Sequence, residues 1–259
     1  MLCNHLSPSP FPPPWAAAWG EDACGLWLTL GLNGIRQMFR WIRPGIFLMG
    51  SPQEESEHLR LLGKETQHEV TLSRGFWLAD TAITQELWLA VMKDNPSGFR
   101  EKKRPVERIS WFDAQIFIQR LNSLIPGLAV RLPTEAEWEY SCRSGSETPF
   151  SFGIDMSPEL VNYNSNELYR RQPLPVKSLP CNSLGLYEMH GNIWEWCQDY
   201  WQDDLTAVSV TDPCGPENGD FRVVRGGSWV CVSKYIRSAS RDRYLPNYSG
   251  GSIGVRLAV

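Results

Sequence analysis

The side chains that could do chemistry in this chain are its cysteines and histidines, and their spacing matches none of the common sites. The sequence contains 7 Cys and 4 His. No Cys-x-x-Cys pair occurs, which excludes a zinc ribbon and a thioredoxin-like motif. Nucleotide-binding glycine loops, zinc-protease motifs and the nucleophile elbow of hydrolases are missing too. Most cysteines are therefore predicted to be small buried residues with free thiols.

Turn and capping residues predict the elements that must position any site. Alternating apolar runs flank Asn33-Gly34 and indicate a β-hairpin, because this dipeptide accepts positive φ at both centres of a two-residue turn. The polar stretch 52–67 predicts a charged surface loop. Beyond Arg143, Gly, Pro, Asn and Ser recur every few residues, which indicates long ordered loops. Together these patterns predict an irregular α+β fold.

Three helices are predicted from residues that favour the helix N-cap. In two of them an acidic residue follows three positions later, as in a capping box. The caps are Thr84, Ser110 with Asp113, and Thr134 with Glu137. In the second helix, apolar residues recur at helical spacing and predict one buried face. That face consists of Ala114, Phe117, Ile118, Leu121 and Leu124.

Length and charge limit the classes of protein that remain. A chain of 259 residues can bury a sizeable core. A net charge of −4 disfavours non-specific nucleic-acid binding through a basic patch, and no apolar run is long enough to span a membrane.

Residues 1–24 are rich in proline and predict a disordered or extended segment without a signal peptide, and residues 25–259 predict a single domain. A cytoplasmic location follows as an expectation.

From residue 45 to the C-terminus, a series of motifs in a fixed order resembles the formylglycine-generating enzyme (sulfatase-modifying factor) family. The resemblance implies a C-type-lectin-like fold, loop-rich, with two to three helices and short antiparallel strands. The motifs are GIFLMGS (45–51), PV (105–106) with SW (110–111), RLPTEAEWE (131–139), GLY (185–187) with GNIWEW (191–196), RGGSW (225–229) and GVR (254–256).

The same resemblance implies two cysteines, five positions apart, that hold Cu(I) for the oxidation of a substrate cysteine. Cys231 occupies the first position, but the second is Ile236, whose side chain cannot bind a metal. We therefore expect no copper and no enzymatic activity. The alternative is a copper-dependent formylglycine-generating oxidase acting on a sulfatase cysteine, with Cys231 as the surviving thiol.

The C-terminal stretch 229–259 is also similar to the variable region of the ligand-binding proteins that diversity-generating retroelements mutate. Those systems replace template adenines, so that Asn codons cannot become codons for Glu, Gln, Met, Trp or Lys. Residues 230–252 contain no Glu, Gln, Met or Trp. The similarity implies a variable region at about 229–256, interrupted by fixed positions. These positions are Lys234, Ile236, Arg237, Ala239, Arg241, Pro246 and Gly254.

The residue types of this region also favour binding. Tyr supplies contact area at low entropic cost, and Ser, Gly and Asn adapt their hydrogen bonds, as in antibody paratopes. An alternative is a polar C-terminal loop with a few buried anchors. The predicted contact residues are Val230, Cys231, Val232, Tyr235, Ser240, Asp242, Tyr244, Leu245, Asn247, Tyr248, Gly250, Gly251 and Ser252.

The enzyme-family resemblance also implies a structural calcium ion. Its ligands would be the carboxylate of Glu195, the carbonyls of Gly191 and Ile193, and an oxygen of Glu188. Oxygen ligands are those that calcium prefers. The alternative is that Glu195 forms a salt bridge or caps a turn. The acidic residues Asp199, Asp203, Asp204 and Asp212 are expected to be solvated.

Taken together, the sequence predicts a non-enzymatic variable protein of a diversity-generating retroelement. A hypervariable patch near its C-terminus would bind an unknown protein or other macromolecule. A degenerate family member that serves as a structural module is a further alternative.

Overall fold

The computed structural model describes residues 7–58, 65–165, 168–205 and 207–259. No helix within these ranges has both the length and the apolar character needed to cross a bilayer. Its helices are α1 (Gln53–His58), α2 (Gln85–Met92), α3 (Trp111–Leu124) and α4 (Glu135–Arg143). Its strands are β1 (Ala18–Asp22), β2 (Gly25–Leu32), β3 (Ile35–Ile42), β4 (Gly45–Met49), β5 (His68–Leu72), β6 (Phe76–Ala79), β7 (Trp194–Tyr200), β8 (Val210–Thr211), β9 (Arg222–Arg225), β10 (Arg241–Tyr244) and β11 (Ile253–Gly254).

The first sheet, in the order β1-β2-β3-β6, contains the predicted hairpin. Asn33 and Gly34 have φ of 50° and 81°, as the two-residue turn requires. The predicted domain boundary at residue 25 is too late. The whole of β1 pairs with β2, and Phe11 and Trp15 pack against the core. Apolar rings in the proline-rich stretch bury enough surface to order it, so the domain includes residues 11–24. Residues 1–6 lie outside the described part.

Two smaller sheets complete the fold. One has the order β10-β9-β7-β11, in which β11 runs parallel to β7, and the other has the order β4-β5-β8. Trp194 and Trp196 of β7 are buried in the main core. Strand β9 ends directly before the loop that begins at Gly226, and β10 follows this loop. The sheet that contains both strands therefore supports the C-terminal surface.

All three capped helices are confirmed. The capping boxes at Ser110 and Thr134 are both complete, and the Thr84 hydroxyl accepts a hydrogen bond from the Leu87 N–H. Leu124, predicted to be buried, is 53% exposed because it lies in the last turn of α3, past the core.

One helix was not predicted. The stretch 53–58, expected to be loop, forms α1, whose first turn carries the acidic residues Glu54 and Glu55. Acidic side chains there stabilise a helix through its dipole, but α1 lacks the apolar periodicity that identifies a helix in a sequence. Residues 59–64 of the same predicted loop lie outside the described ranges.

Buried ion pairs tie the loops to these elements. Arg225 bonds Glu139, Arg241 lies 2.7 Å from Glu135, and Arg256 lies 2.9 Å from Glu195. All of these side chains are almost fully buried. Each pair joins segments that are far apart in the sequence, so the loop-rich half of the chain is held by charge as well as by aromatic packing.

Asp199, expected to be solvated, is instead buried beside α4. Its Oδ2 atom accepts a hydrogen bond of 2.8 Å from the Glu135 N–H. Burial, with the nearby Glu135 carboxylate, raises the pKa of Asp199 to about 8. The folded protein therefore holds a proton on Asp199 that the unfolded chain has released once the pH exceeds about 4.

This difference predicts a pH-dependent stability. The contribution of Asp199 is present at low pH and is lost as the pH rises towards about 8, because the folded state binds the extra proton. From about pH 6 to about pH 7, the free energy of unfolding measured in urea should fall by about 1 kcal/mol more for the parent than for Asp199→Asn. The exposed Asp220→Asn is the matched control and should follow the parent. Equal losses in the parent and in Asp199→Asn would contradict the assignment.

Candidate ligand-binding surface

The C-terminal surface begins at a tight turn that follows β9. Gly226 and Gly227 have φ of 93° and 72°, a region that glycine adopts without strain. A Cβ atom at Gly227 would overlap the side chain of Ile236 and lie 2.8 Å from the Tyr235 carbonyl oxygen. Ser228 is buried, and the chain reaches the surface at Val230. The two glycines therefore turn the chain outward from the core.

Cys231 and Ile236 lie in different surroundings. The Cys231 Sγ atom lies 3.3 Å from the Ser228 hydroxyl, and burial raises the pKa of this thiol. Ile236 is fully buried with Phe150 and Val161. All six cysteines that the structure describes are unpaired.

Twelve of the predicted contact residues reach the surface at least in part. Four large apolar side chains among them are exposed by 41–48%. We call these twelve residues the variable patch. The exposed members are Val230, Val232, Leu245, Asn247 and Tyr248; the half-buried ones are Cys231, Tyr235, Asp242, Tyr244, Gly250, Gly251 and Ser252.

Ser240 is the exception among the predicted contact residues. It is only 1% exposed, and its N–H donates to the Arg237 carbonyl in a tight turn that leads into β10. Its neighbours Ser238 and Ala239 are buried as well. The residue type suits a binding loop, but the return of the chain to the sheet places this position inside the protein.

The positions predicted to be fixed lie mostly inside. Ile236, Arg237, Ala239, Arg241 and Gly254 are buried, whereas Lys234 and Pro246 are half-buried. Arg237 lies 2.9 Å from the Glu65 carboxylate and 2.6 Å from that of Glu55. These anchors hold the loop, and exposed side chains lie before and after the buried segment 236–241.

Aromatic rings form much of the patch. The rings of Tyr244 and Tyr248 stack with centroids 4.5 Å apart, and Trp196 meets Tyr244 from the core side. Burial raises the pKa of Asp242, which lies close to Tyr244. Rigid rings that are already packed lose little entropy when a partner binds.

Two glycines of the patch could carry side chains. A Cβ atom at Gly251 would make only ordinary contacts, the nearest at 3.6 Å to the Glu107 carboxylate. At Gly250 a Cβ atom would lie 2.6 Å from the Tyr248 hydroxyl and 2.9 Å from its ring, so a side chain there requires the partly exposed Tyr248 ring to shift. At Gly254, predicted to be fixed, a Cβ atom would lie 2.5 Å from the Val106 carbonyl oxygen. Substitution is therefore easier at Gly250 and Gly251, which belong to the patch, than at Gly254, which is predicted to be fixed.

A shallow cavity of about 580 Å³ adjoins the patch. A short 3-10 helix, Ser233–Tyr235, forms one wall. The lining also includes Ile154, which is 70% exposed, and Asp155. This part of the lining was not predicted from the sequence. The exposure of Ile154 depends on the fold of residues 150–156, and no sequence motif signals it.

Protein groups bond only some of the predicted calcium ligands. Glu195 is buried, and both of its oxygens bond Arg256, at 2.9 Å to Nη2 and 2.9 Å to Nε. The Gly191 carbonyl accepts the Ile193 N–H. Neither oxygen of the buried Glu188 carboxylate has a hydrogen-bond partner among the described residues, and burial raises the pKa of this group to about 7. Glu195 therefore forms the salt bridge of the alternative interpretation, and calcium binding by the remaining oxygens stays a prediction.

Clusters of metal-binding side chains are absent from the described ranges. Among the residues that the structure describes, no group of three or more His, Cys, Asp or Glu side chains could hold an ion. Cys142 and His190 do meet, with Sγ 3.5 Å from Nε2. Burial raises the pKa of the Cys142 thiol to about 12 and lowers that of His190 to about 4, so this pair is neutral.

The sulfatase-modifying factor enzyme 1-like domain model matches residues 35–259. The chain belongs to this family. The formylglycine-generating enzyme of Mus musculus is 31% identical over 206 residues, covering 74% of this chain and 53% of the mouse protein. That of Streptomyces coelicolor is 36% identical over 170 residues, covering 60% of this chain and 52% of the bacterial protein. This chain thus spans about half the length of the curated relatives it matches.

Solved structures confirm the predicted α+β, C-type-lectin-like fold of this family. Treponema denticola variable protein 1 has a TM-score of 0.78 and 28% identity, covering 90% of this chain and 98% of that one. PvdO from Pseudomonas aeruginosa has a TM-score of 0.74 and 24% identity, covering 94% and 98%, and shows the likeness of fold alone. The family therefore contains enzymes, and Treponema denticola variable protein 1 shares the fold of this chain.

Proposed function

We propose that this family member is a ligand-binding variable protein of a diversity-generating retroelement, with the variable patch as its binding surface. The observation that carries the proposal is the separation of the two sets of positions. Predicted contact side chains reach the surface, apart from Ser240, whereas five of the seven predicted fixed positions are buried. A scaffold that must tolerate many side chains needs this arrangement, because buried anchors keep the backbone unchanged.

Charge and packing support the same proposal. Arg237 and Arg241 pair with Glu65 and Glu135 beneath the loop, so the backbone does not depend on the exposed side chains. The likeness to Treponema denticola variable protein 1 adds to this argument. The ligand would be a protein or another macromolecule, since the surface is broad and rich in aromatic residues. The cytoplasmic location remains a prediction.

Randomising the patch is the direct test. A display library varied at Val230, Val232, Leu245, Asn247 and Gly251 should consist mostly of folded proteins, because these side chains are exposed or open to growth. Thermal unfolding of unselected members should stay within about 5 °C of the parent, as expected for exposed substitutions. Selection against a purified model protein such as lysozyme should then yield binders.

The matched control library is varied at the buried positions Ile236, Ala239 and Gly227 and should be mostly unfolded. Two outcomes would overturn the proposal: a patch library that unfolds as often as the control, or one that yields no binder. Turnover of a sulfatase cysteine peptide to formylglycine by the copper-loaded parent would establish the oxidase alternative instead.

A further inference from the structure

Outside the variable patch, a group of arginines and aromatic rings lies against its edge. Trp229 is the centre of this group. Its ring meets Phe99 with centroids 5.5 Å apart and Tyr169 at 6.2 Å, and its Nε1 atom lies 3.4 Å from the Gly251 carbonyl oxygen of the patch. The Arg171 guanidinium lies 5.7 Å from the Tyr169 ring centroid. These rings and charges therefore form one continuous surface with the patch.

Arg108 joins the same surface from the other side. Its N–H donates to the Gly250 carbonyl at 3.1 Å, and its guanidinium lies over Gly98. The carboxylate of Glu107 lies 3.4 Å from the Arg108 Nε atom. Glu107 is fully buried and also accepts the N–H groups of Gly98 and Phe99. The buried carboxylate thus fixes the direction of Arg108 while its outer nitrogens face solvent.

We name Arg100, Arg108, Arg171, Tyr169 and Trp229 the basic rim. The three arginines are exposed. Within the described ranges, no carboxylate forms an ion pair with Arg100 or Arg171. The segments that carry them pack together, because the Arg104 guanidinium bonds the Pro173 carbonyl at 2.8 Å and the Val176 N–H bonds the Lys103 carbonyl at 2.8 Å.

The positive charge of the rim is local, since the whole chain carries a net charge of −4. The neighbouring Lys102 is exposed on the same segment and adds a positive charge, whereas Lys103 is paired with Glu86 at 2.6 Å. The acidic group at the patch itself is Asp242, which is half-buried and whose pKa is raised by burial. An excess of cations beside aromatic faces suits a partner that carries carboxylates next to apolar side chains.

We infer that an acidic segment of the protein partner binds across the basic rim while the variable patch contacts the rest of that partner. This inference rests on the proposed function. The three arginines of the rim lie outside the predicted variable region 229–256. The rim would therefore supply a constant, charge-based contribution to every variant, and the patch would supply the specificity.

Binding of a defined peptide tests the inference. The probe is a fluorescein-labelled peptide of alternating Glu and Asp with one Tyr, measured by fluorescence anisotropy with the full chain at low ionic strength. The double variant Arg108→Glu/Arg171→Glu should bind about tenfold more weakly, because two favourable exposed charges become repulsive. Arg108→Gln/Arg171→Gln should fall between this variant and the parent. Added salt should weaken the binding of the parent.

Arg36→Glu/Arg74→Glu is the matched control, since both arginines are exposed and lie outside the rim. It should bind like the parent. The inference is overturned if the parent does not bind the peptide, if it binds a lysine peptide equally well, or if the control weakens binding as much as the rim variant. Tighter binding of a single-stranded oligonucleotide than of the peptide would assign the rim to nucleic acid and would also overturn it.

The two proposals can fail separately. If the acidic peptide does not bind but the patch library yields binders, only the rim is wrong. If the library unfolds or yields no binder while the peptide still binds at the rim, the variable function is wrong and the basic rim remains as a binding surface.

Discussion

Replacing Arg256 with methionine is expected to destabilise the protein by about 3–5 kcal/mol, because it leaves a buried carboxylate without its charge partner. Arg256 is fully buried, and its guanidinium bonds both oxygens of Glu195. It also donates to the Ala79 carbonyl at 2.8 Å and to the Tyr187 carbonyl at 2.7 Å. After the substitution, Glu195 keeps only the Trp138 indole N–H, at 2.7 Å. Urea unfolding measures the loss.

The double variant Arg256→Met/Glu195→Leu should recover much of this stability, since an apolar pair of similar volume leaves no buried charge. The exposed pair supplies the matched control: Lys103, 66% exposed, lies 2.6 Å from Glu86, and Lys103→Met should cost less than about 1 kcal/mol. Calcium should leave the unfolding of the parent unchanged. A marked calcium-dependent rise in the unfolding midpoint would contradict the pairing of Glu195 with Arg256.

Gly227→Ala should cost about 2–5 kcal/mol and disturb the start of the variable patch. The φ of 72° is unfavourable for alanine, and the new methyl group would overlap Ile236 and approach the Tyr235 carbonyl oxygen to 2.8 Å. Because Ile236 lies in a packed cluster with Phe150, relief requires the 3-10 helix to move outward. The measurements are urea unfolding and the rate of limited proteolysis within residues 230–236.

Gly251→Ala is the matched control for this prediction. The nearest atoms to its Cβ would lie at 3.6 Å and 3.8 Å, and its φ lies outside the strained region. Its stability should change by less than about 0.5 kcal/mol. If Gly227→Ala is as stable as Gly251→Ala, the glycine turn does not set the course of the loop, and the separation between fixed and variable positions loses its structural basis.

Several features could be predicted from the sequence because they depend on residues close together in the chain. The hairpin at Asn33-Gly34 requires only a local preference for positive φ. The capping boxes at Ser110 and Thr134 close between side chains and backbone three positions apart. Family motifs then led to the correct fold, which the solved structures confirm.

Features that depend on distant segments were predicted poorly. The motif around Glu195 left calcium and a salt bridge as alternatives, because it cannot show that Arg256, 61 positions later, reaches the carboxylate. Asp199 was expected to be solvated, but the N-terminus of α4 covers it. The basic rim was not predicted, because it consists of short stretches around residues 100–108, 169–171 and 229. None of these stretches forms a motif by itself.

The family, the local turns and caps, and the isoleucine at residue 236 could all be read from the order of residues along the chain. The exposure of polar side chains in the C-terminal region and the pairing of buried charges became clear from the fold. Burial and ion pairing depend on where the chain returns in space: one course of the backbone exposes Tyr248, buries Ser240, and places Arg108 beside Gly250.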